Sequence, residues 1–124
     1  MQLENHHDHS TYVIRSYGAE GVRVNEMLLT QSFIIMSDQL IQHWQPNHFS
    51  KLGKSDLDLI AKLDPEIIIL GAGKKLTFPD PTLIAPITSK NIGFEVMDSY
   101  AACRCYSILA SEGRNVAAGI ILET

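Results

Sequence analysis

Glu66-Ile67-Ile68-Ile69-Leu70-Gly71-Ala72-Gly73 is the stretch that decides how this chain folds. An unbroken run of β-branched and aliphatic residues suits a strand buried on both faces, as in the parallel part of a layered sheet. Pro65 lacks an amide donor and ends any helix arriving from upstream, while the Gly-Ala-Gly triplet breaks the strand. Upstream, Ser55-Asp56-Leu57-Asp58 has the form of a capping box, and Leu57, Ile60, Ala61 and Leu63 follow at helical spacing, so a helix is expected from Ser55 to Leu63. Downstream, Asp80-Pro81 reads as N-cap plus first helical residue, with Leu83, Ile84 and Ile87 as the stripe. Pro86 lies inside that stripe and predicts a short, kinked or partly irregular helix.

Gly93 resets the chain, Phe94-Glu95-Val96-Met97 forms the next strand, and Asp98 or Ser99 caps the helix after it. Ala102, Cys105, Tyr106, Leu109 and Ala110 give that helix a continuous apolar face, and Gly113 stands at its C-cap. Val116 to Leu122 is a buried strand whose Ala117, Ala118 and Gly119 leave room for a close approach. Nearer the start, Tyr12 to Tyr17 and Val22 to Val24 flank the turn residues Gly18-Ala19-Glu20-Gly21 as a hairpin. Gln31 to Ser37 is a strand, and Leu40 to Trp44 a short one that Pro46 keeps from being central. The expectation is an α/β chain with an N-terminal β-hairpin, C-terminal βαβαβ order and a mixed central sheet. The antiparallel strands could lie at one side of that sheet or fold over it as a second layer. Gly113-Arg114-Asn115 leaves the direction of the last strand open.

The 124 residues suffice for one domain over 11–124, preceded by a His-rich stretch, 1–10, expected to be a flexible tail. Lys and Arg number 10 against 14 Asp and Glu, a net charge of −4 with no basic cluster, which argues against a nucleic-acid partner. The longest apolar runs fall far short of the about 18 to 20 residues that cross a bilayer, and the first residues resemble no targeting signal, so a cytoplasmic location is expected. A charged fraction of 19% is low for a soluble domain, so either the fold is efficient or part of its surface meets a partner, leaving a homodimer open. Cys103 and Cys105 would point about 200° apart on a helix, so they neither bridge nor share a metal there and read as buried or half-buried thiols.

If the strands ending at Leu70 and Met97 are parallel neighbours, Gly71-Ala72-Gly73 lies beside Asp98-Ser99 on the edge where open α/β sheets bind ligands. Gly71 and Gly73 would admit a ligand to the backbone, Lys74 and Lys75 would neutralise an anion, and the first amides of the helix near Ser99 would hold it. The plainer reading is a structural turn plus a cap: the third glycine of a dinucleotide fingerprint is absent, no P-loop exists, and Asp98 would repel an anion. Arg104, early in the helix, needs a compensating partner, either Asp98, Glu95 or a bound anion. Arg114 is expected on the last helix carbonyls. His6, His7 and His9 with Asp8 make only an adventitious metal site, and His43 and His48 read as surface residues, so no metal or other cofactor is expected. No nucleophile and base can be placed within reach of each other by sequence, which favours a non-enzymatic role.

Gly71-Ala72-Gly73, Gly93 to Ala102 and Glu112 to Ala118, in that order and spacing, resemble a family of unknown-function domains. It includes a mitochondrial respiratory complex I assembly factor and an adipogenesis-associated protein, and the resemblance covers about residues 11 to 124. It implies a single three-layer α/β domain and, through the mitochondrial relative, a non-enzymatic helper that binds protein assembly intermediates. Gly71, Gly73, Asp98, Ala101, Ala102, Gly113 and Arg114 fall on its fold markers, while Cys105 and Ser107 flank Tyr106 where the resemblance leads one to expect Thr and Asn.

Overall fold

The computed structural model describes residues 11–124, so the tail expected over 1–10 lies outside the described residues. Strands β1 (Ile14–Gly18) and β2 (Gly21–Val24) form the expected antiparallel hairpin. A third strand, β3 (Met27–Leu29), pairs antiparallel with β2 and was not foreseen. It is three residues long and half exposed, so it carries little alternation to read. Asn25 makes the turn before it with a left-handed φ of 51°. Its side chain accepts from Val13 N at 2.9 Å and donates to Thr11 O at 3.1 Å, fixing the lead into β1.

The larger sheet contains β4 (Phe33–Ile35), β5 (Leu40–Gln42), β6 (Ile67–Gly71), β7 (Gly93–Met97) and β8 (Val116–Ile120) in the order β5-β4-β8-β6-β7. β6 runs parallel to both β7 and β8, and β4 runs antiparallel to β8 and β5, so the sheet is mixed. The last strand therefore takes the centre, which suits its five buried residues. Both placements open to the antiparallel strands are used: β4 and β5 extend the large sheet, and β1 to β3 fold over it.

Among the described residues three α-helices complete the layers: α1 (Lys54–Ala61), α2 (Pro81–Thr88) and α3 (Ser99–Ser111). Alternation along β6 divides the core, since successive side chains point to opposite faces. Ile69 joins Ala102, Cys103 and Tyr106 of α3 and Val22, Val24 and Leu29 of the small sheet. Ile68 and Leu70 meet Leu57 and Ile60 of α1, Ile87 of α2, and Trp44. On α3 it is Cys103, with Ala102 and Tyr106, that is fully buried, and Cys105 lies at the margin of the expected stripe. The small residues of β8 serve as expected: a Cβ on Gly119 would come within 2.6 Å of Ile60 Cδ1 and 2.7 Å of Trp44 Cη2.

The helix ends differ partly from expectation. In α1 the reciprocal bond runs from Gly53 N to Asp56 Oδ2 at 2.8 Å, two residues before the anticipated box, and Asp58 pairs with Lys54 at 3.1 Å instead. α2 has eight residues with Pro86 inside, and Asp80 caps it by accepting from Thr82 N at 2.9 Å. α3 closes as a Schellman motif, with Gly113 at φ 81°, Gly113 N bonded to Ala110 O and Arg114 N to Leu109 O, each at 3.0 Å. The Arg114 guanidinium does not return to the helix. It bonds Glu66 Oε1 at 3.1 Å, which also accepts from Asn115 N at 3.1 Å, aligning the starts of β6 and β8. Arg114, and then the Asn115 amide, hold the Glu66 carboxyl below its ordinary pKa.

Candidate functional site

Parallel pairing sets Gly71 opposite Met97, which brings Gly71-Ala72-Gly73 beside Asp98-Ser99 at one sheet edge, as the sequence predicts. The groups that meet there are bonded to one another. Ser99 N donates to Gly73 O at 2.8 Å, and Gly73 N donates to Ser99 Oγ at 2.9 Å. The same hydroxyl donates to Ile121 O at 2.6 Å, while Ile121 N bonds Gly71 O at 3.0 Å. Ser99 is only 4% exposed, so its hydroxyl is a buried junction among β6, α3 and the segment after β8. A Cβ on Gly71 would sit 2.9 Å from Ser99 Oγ and 3.0 Å from Ser99 Cα, which is why the strand ends in glycine.

Among the first amides of α3, Ser99 N and Ala101 N have protein partners. Ala101 N donates to Asp98 Oδ1 at 2.9 Å, making Asp98 the N-cap of α3. Lys74 N donates to Glu123 Oε2 at 3.0 Å. Gly73 has φ 105°, and a Cβ there would run into the same carboxylate, 3.1 Å from Glu123 Cδ. Nothing in the local sequence signals this contact, because Glu123 comes from 49 residues further along the chain.

Beside this edge lies a cavity of about 190 Å³, bounded opposite by the turn between β1 and β2. Gly73, Lys74, Asp98 and Ser99 line it, joined by Glu20, Tyr100 and Glu123, which sequence reading did not select. Gly71 lies in the adjoining bonded edge, and Arg104 is not in the lining. Arg104 Nη1 donates to Tyr17 Oη at 3.0 Å. Its expected compensation is thus chiefly a phenol, with Asp98 a smaller contributor to its raised pKa. Tyr17 in turn packs on Tyr100, ring centroids 5.2 Å apart and tilted by 35°.

Elsewhere the polar groups are absorbed by structure. Ser32 Oγ donates to Pro46 O at 2.6 Å and accepts from Leu122 N at 2.9 Å, anchoring the segment after β8 from the other side. Burial, then Asp98, pushes the Cys103 thiol up to about 12, so it is no thiolate at neutral pH. Tyr106, also raised by burial, donates to Tyr12 O at 3.2 Å. His48 caps the short turn at Phe49–Lys51 by accepting from Ser50 N at 3.2 Å, and the His43 ring contacts Gln31 Oε1. Among the described residues no three His, Cys, Asp or Glu side chains converge as a metal site, and His6, His7, Asp8 and His9 lie outside those residues.

The model of a family described as proteins of unknown function, DUF498/DUF598, matches residues 14–121. The chain belongs to this family. Over 89 residues, 71% of this chain and 72% of the relative, it is 34% identical to a Francisella tularensis protein named 13 kDa major membrane protein. It is 26% identical over 110 residues to the Xenopus tropicalis NADH dehydrogenase [ubiquinone] 1 alpha subcomplex assembly factor 3, covering 87% of this chain and 60% of that protein. The chain thus spans about three fifths of that relative's length. Among solved structures, a Xanthomonas campestris protein determined by NMR matches with TM-score 0.83 and 38% identity, covering 98% of this chain and 92% of its own. A Bordetella parapertussis crystal structure matches with TM-score 0.86 and 25% identity, covering 92% and 98%. Among the described residues no helix is long and apolar enough to cross a membrane.

Proposed function

We propose that this chain is a non-enzymatic binding domain that helps protein complexes assemble, working in the cytoplasm through a protein-binding surface. The carrying observation is that the Xenopus relative, named an assembly factor, aligns with 87% of the chain. The edge chemistry supports the same reading: Ser99, Asp98 and the Gly73-Lys74 backbone, the groups best suited to a ligand, are engaged in holding α3 and the final segment. Affinity isolation from native lysate tests it. The expected result is one protein recovered reproducibly near stoichiometry, and lost from a Tyr100→Ala bait. Recovery of no protein, with a metabolite co-purifying stoichiometrically, would overturn it. Fractionation tests the location, since firm retention with membranes would contradict it.

A second reading, a small anionic ligand at Gly71, Gly73, Lys74, Asp98 and Ser99, draws on the cavity beside those residues. It requires the Glu123 carboxylate to leave Lys74 N. Native mass spectrometry should then find a bound anion that Gly73→Val abolishes, and a protein free of bound metabolite sinks this reading.

A further inference from the structure

The cavity has the wrong sign for an anion. Glu20, Asp98 and Glu123 line it against Lys74 alone, and Arg104 stands outside the lining with its guanidinium on Tyr17. The Lys74 amide, the donor best placed for an anion, already holds Glu123. Size adds a second restriction. About 190 Å³ is below the roughly 300 Å³ at which small-molecule sites begin, and suits one long side chain better than a metabolite. At the mouth, Tyr100 is 42% exposed and stacked on Tyr17. Exposed tyrosine faces attract cations, and tyrosine is enriched among residues that dominate binding energy at protein interfaces. Ala19 and the half-buried Leu122 supply apolar surface of the kind that lysine and arginine stems cover while their heads seek charge.

We infer that this cleft is a docking surface for a protein segment that inserts a lysine or arginine side chain between the β1–β2 turn and the carboxyl edge of β6. The stem lies along Leu122, the head faces the carboxylates of Glu20 and Glu123, and Tyr100 borders the site. This identifies the partner chemistry of the protein-binding reading above and rests on it.

Backbone amide NMR of the uniformly ¹⁵N-labelled full chain tests the inference with three probes: acetyl-Gly-Arg-Gly-amide, acetyl-Gly-Glu-Gly-amide and inorganic phosphate. The arginine peptide should shift the amides of Gly18, Gly21, Gly73 and Tyr100 saturably, with a dissociation constant of order millimolar, as befits one anchor side chain. The other two probes should give no saturable shift. Combining Glu20→Gln with Glu123→Gln should weaken the arginine peptide about tenfold, with unchanged Gly113 and Gly119 resonances reporting an intact fold. Should that pair fail to fold, Glu20→Lys alone, at an exposed turn position, should abolish the shifts. Saturation by the glutamate peptide or phosphate, unmoved amides with the arginine peptide, or undiminished binding in these variants would overturn the proposal. A stoichiometric protein partner that survives Glu20→Lys would overturn this proposal alone. Arginine-peptide binding without any such partner would overturn the assembly reading instead.

Discussion

On the sheet side of the cavity, Gly71, Gly73, Ser99 and Ile121 hold one another through buried or half-buried hydrogen bonds, and Glu123 covers the turn. On the hairpin side, Ala19 and Glu20 project as an exposed turn, with the Tyr17–Tyr100 pair in front. The two walls differ because a buried polar group must find a partner within the protein, whereas an exposed one has water until a partner arrives. Position at the carboxyl edge of parallel strands therefore does not by itself make a ligand site. Here that position secures the central strand's exit, and the wall facing it is left for recognition.

Substitutions should separate the walls. The largest effect is expected from Gly71→Val, whose added atoms meet Ser99 Oγ and the α3 backbone; urea unfolding should show a loss of about 3 kcal/mol. Ser99→Ala leaves Gly73 N and Ile121 O without their buried partner and should cost about 2 kcal/mol in the same measurement. Asp98→Ala removes the α3 cap at a cost of about 1 kcal/mol. On the opposite wall, Tyr100→Ala should stay within about 0.5 kcal/mol of the wild type while losing the protein partner, and a larger stability loss would erase the contrast.

The smallest effect lies away from both walls. Glu66 is depressed in the folded state by Arg114 and the Asn115 amide, so its contribution is present above its ordinary value of 4.5 and fades as pH falls through the folded value. Glu66→Gln should therefore be slightly less stable than wild type near pH 7, with the difference shrinking as pH falls below 4.5, as read from thermal melts across that range.

Local patterns made much of this fold legible. The Ile67-Ile68-Ile69-Leu70 run, the Asp98 cap and the Gly113 closure act within a few residues, so the sequence displays them directly. β3 escaped notice because Met27-Leu28-Leu29 is short, and its pairing depends on the left-handed Asn25 turn. The direction of β8 is set by its parallel pairing with β6, whose register joins residues 49 positions apart such as Ile67 and Val116. At the cavity the glycines and the cap could be read, but their partners could not. Glu123 meets Lys74 across 49 residues and Tyr17 meets Arg104 across 87, and no spacing rule connects such pairs.

Residue-resolved amide hydrogen exchange tests the contrast between the walls most directly. Gly73 and Ile121 should exchange as slowly as Ile69 in the middle of β6, to within about tenfold, with Glu20 exchanging near the rate of unstructured chain. Fast exchange at Gly73 and Ile121, matching Glu20, would mean that the sheet-side wall is open and would contradict the account.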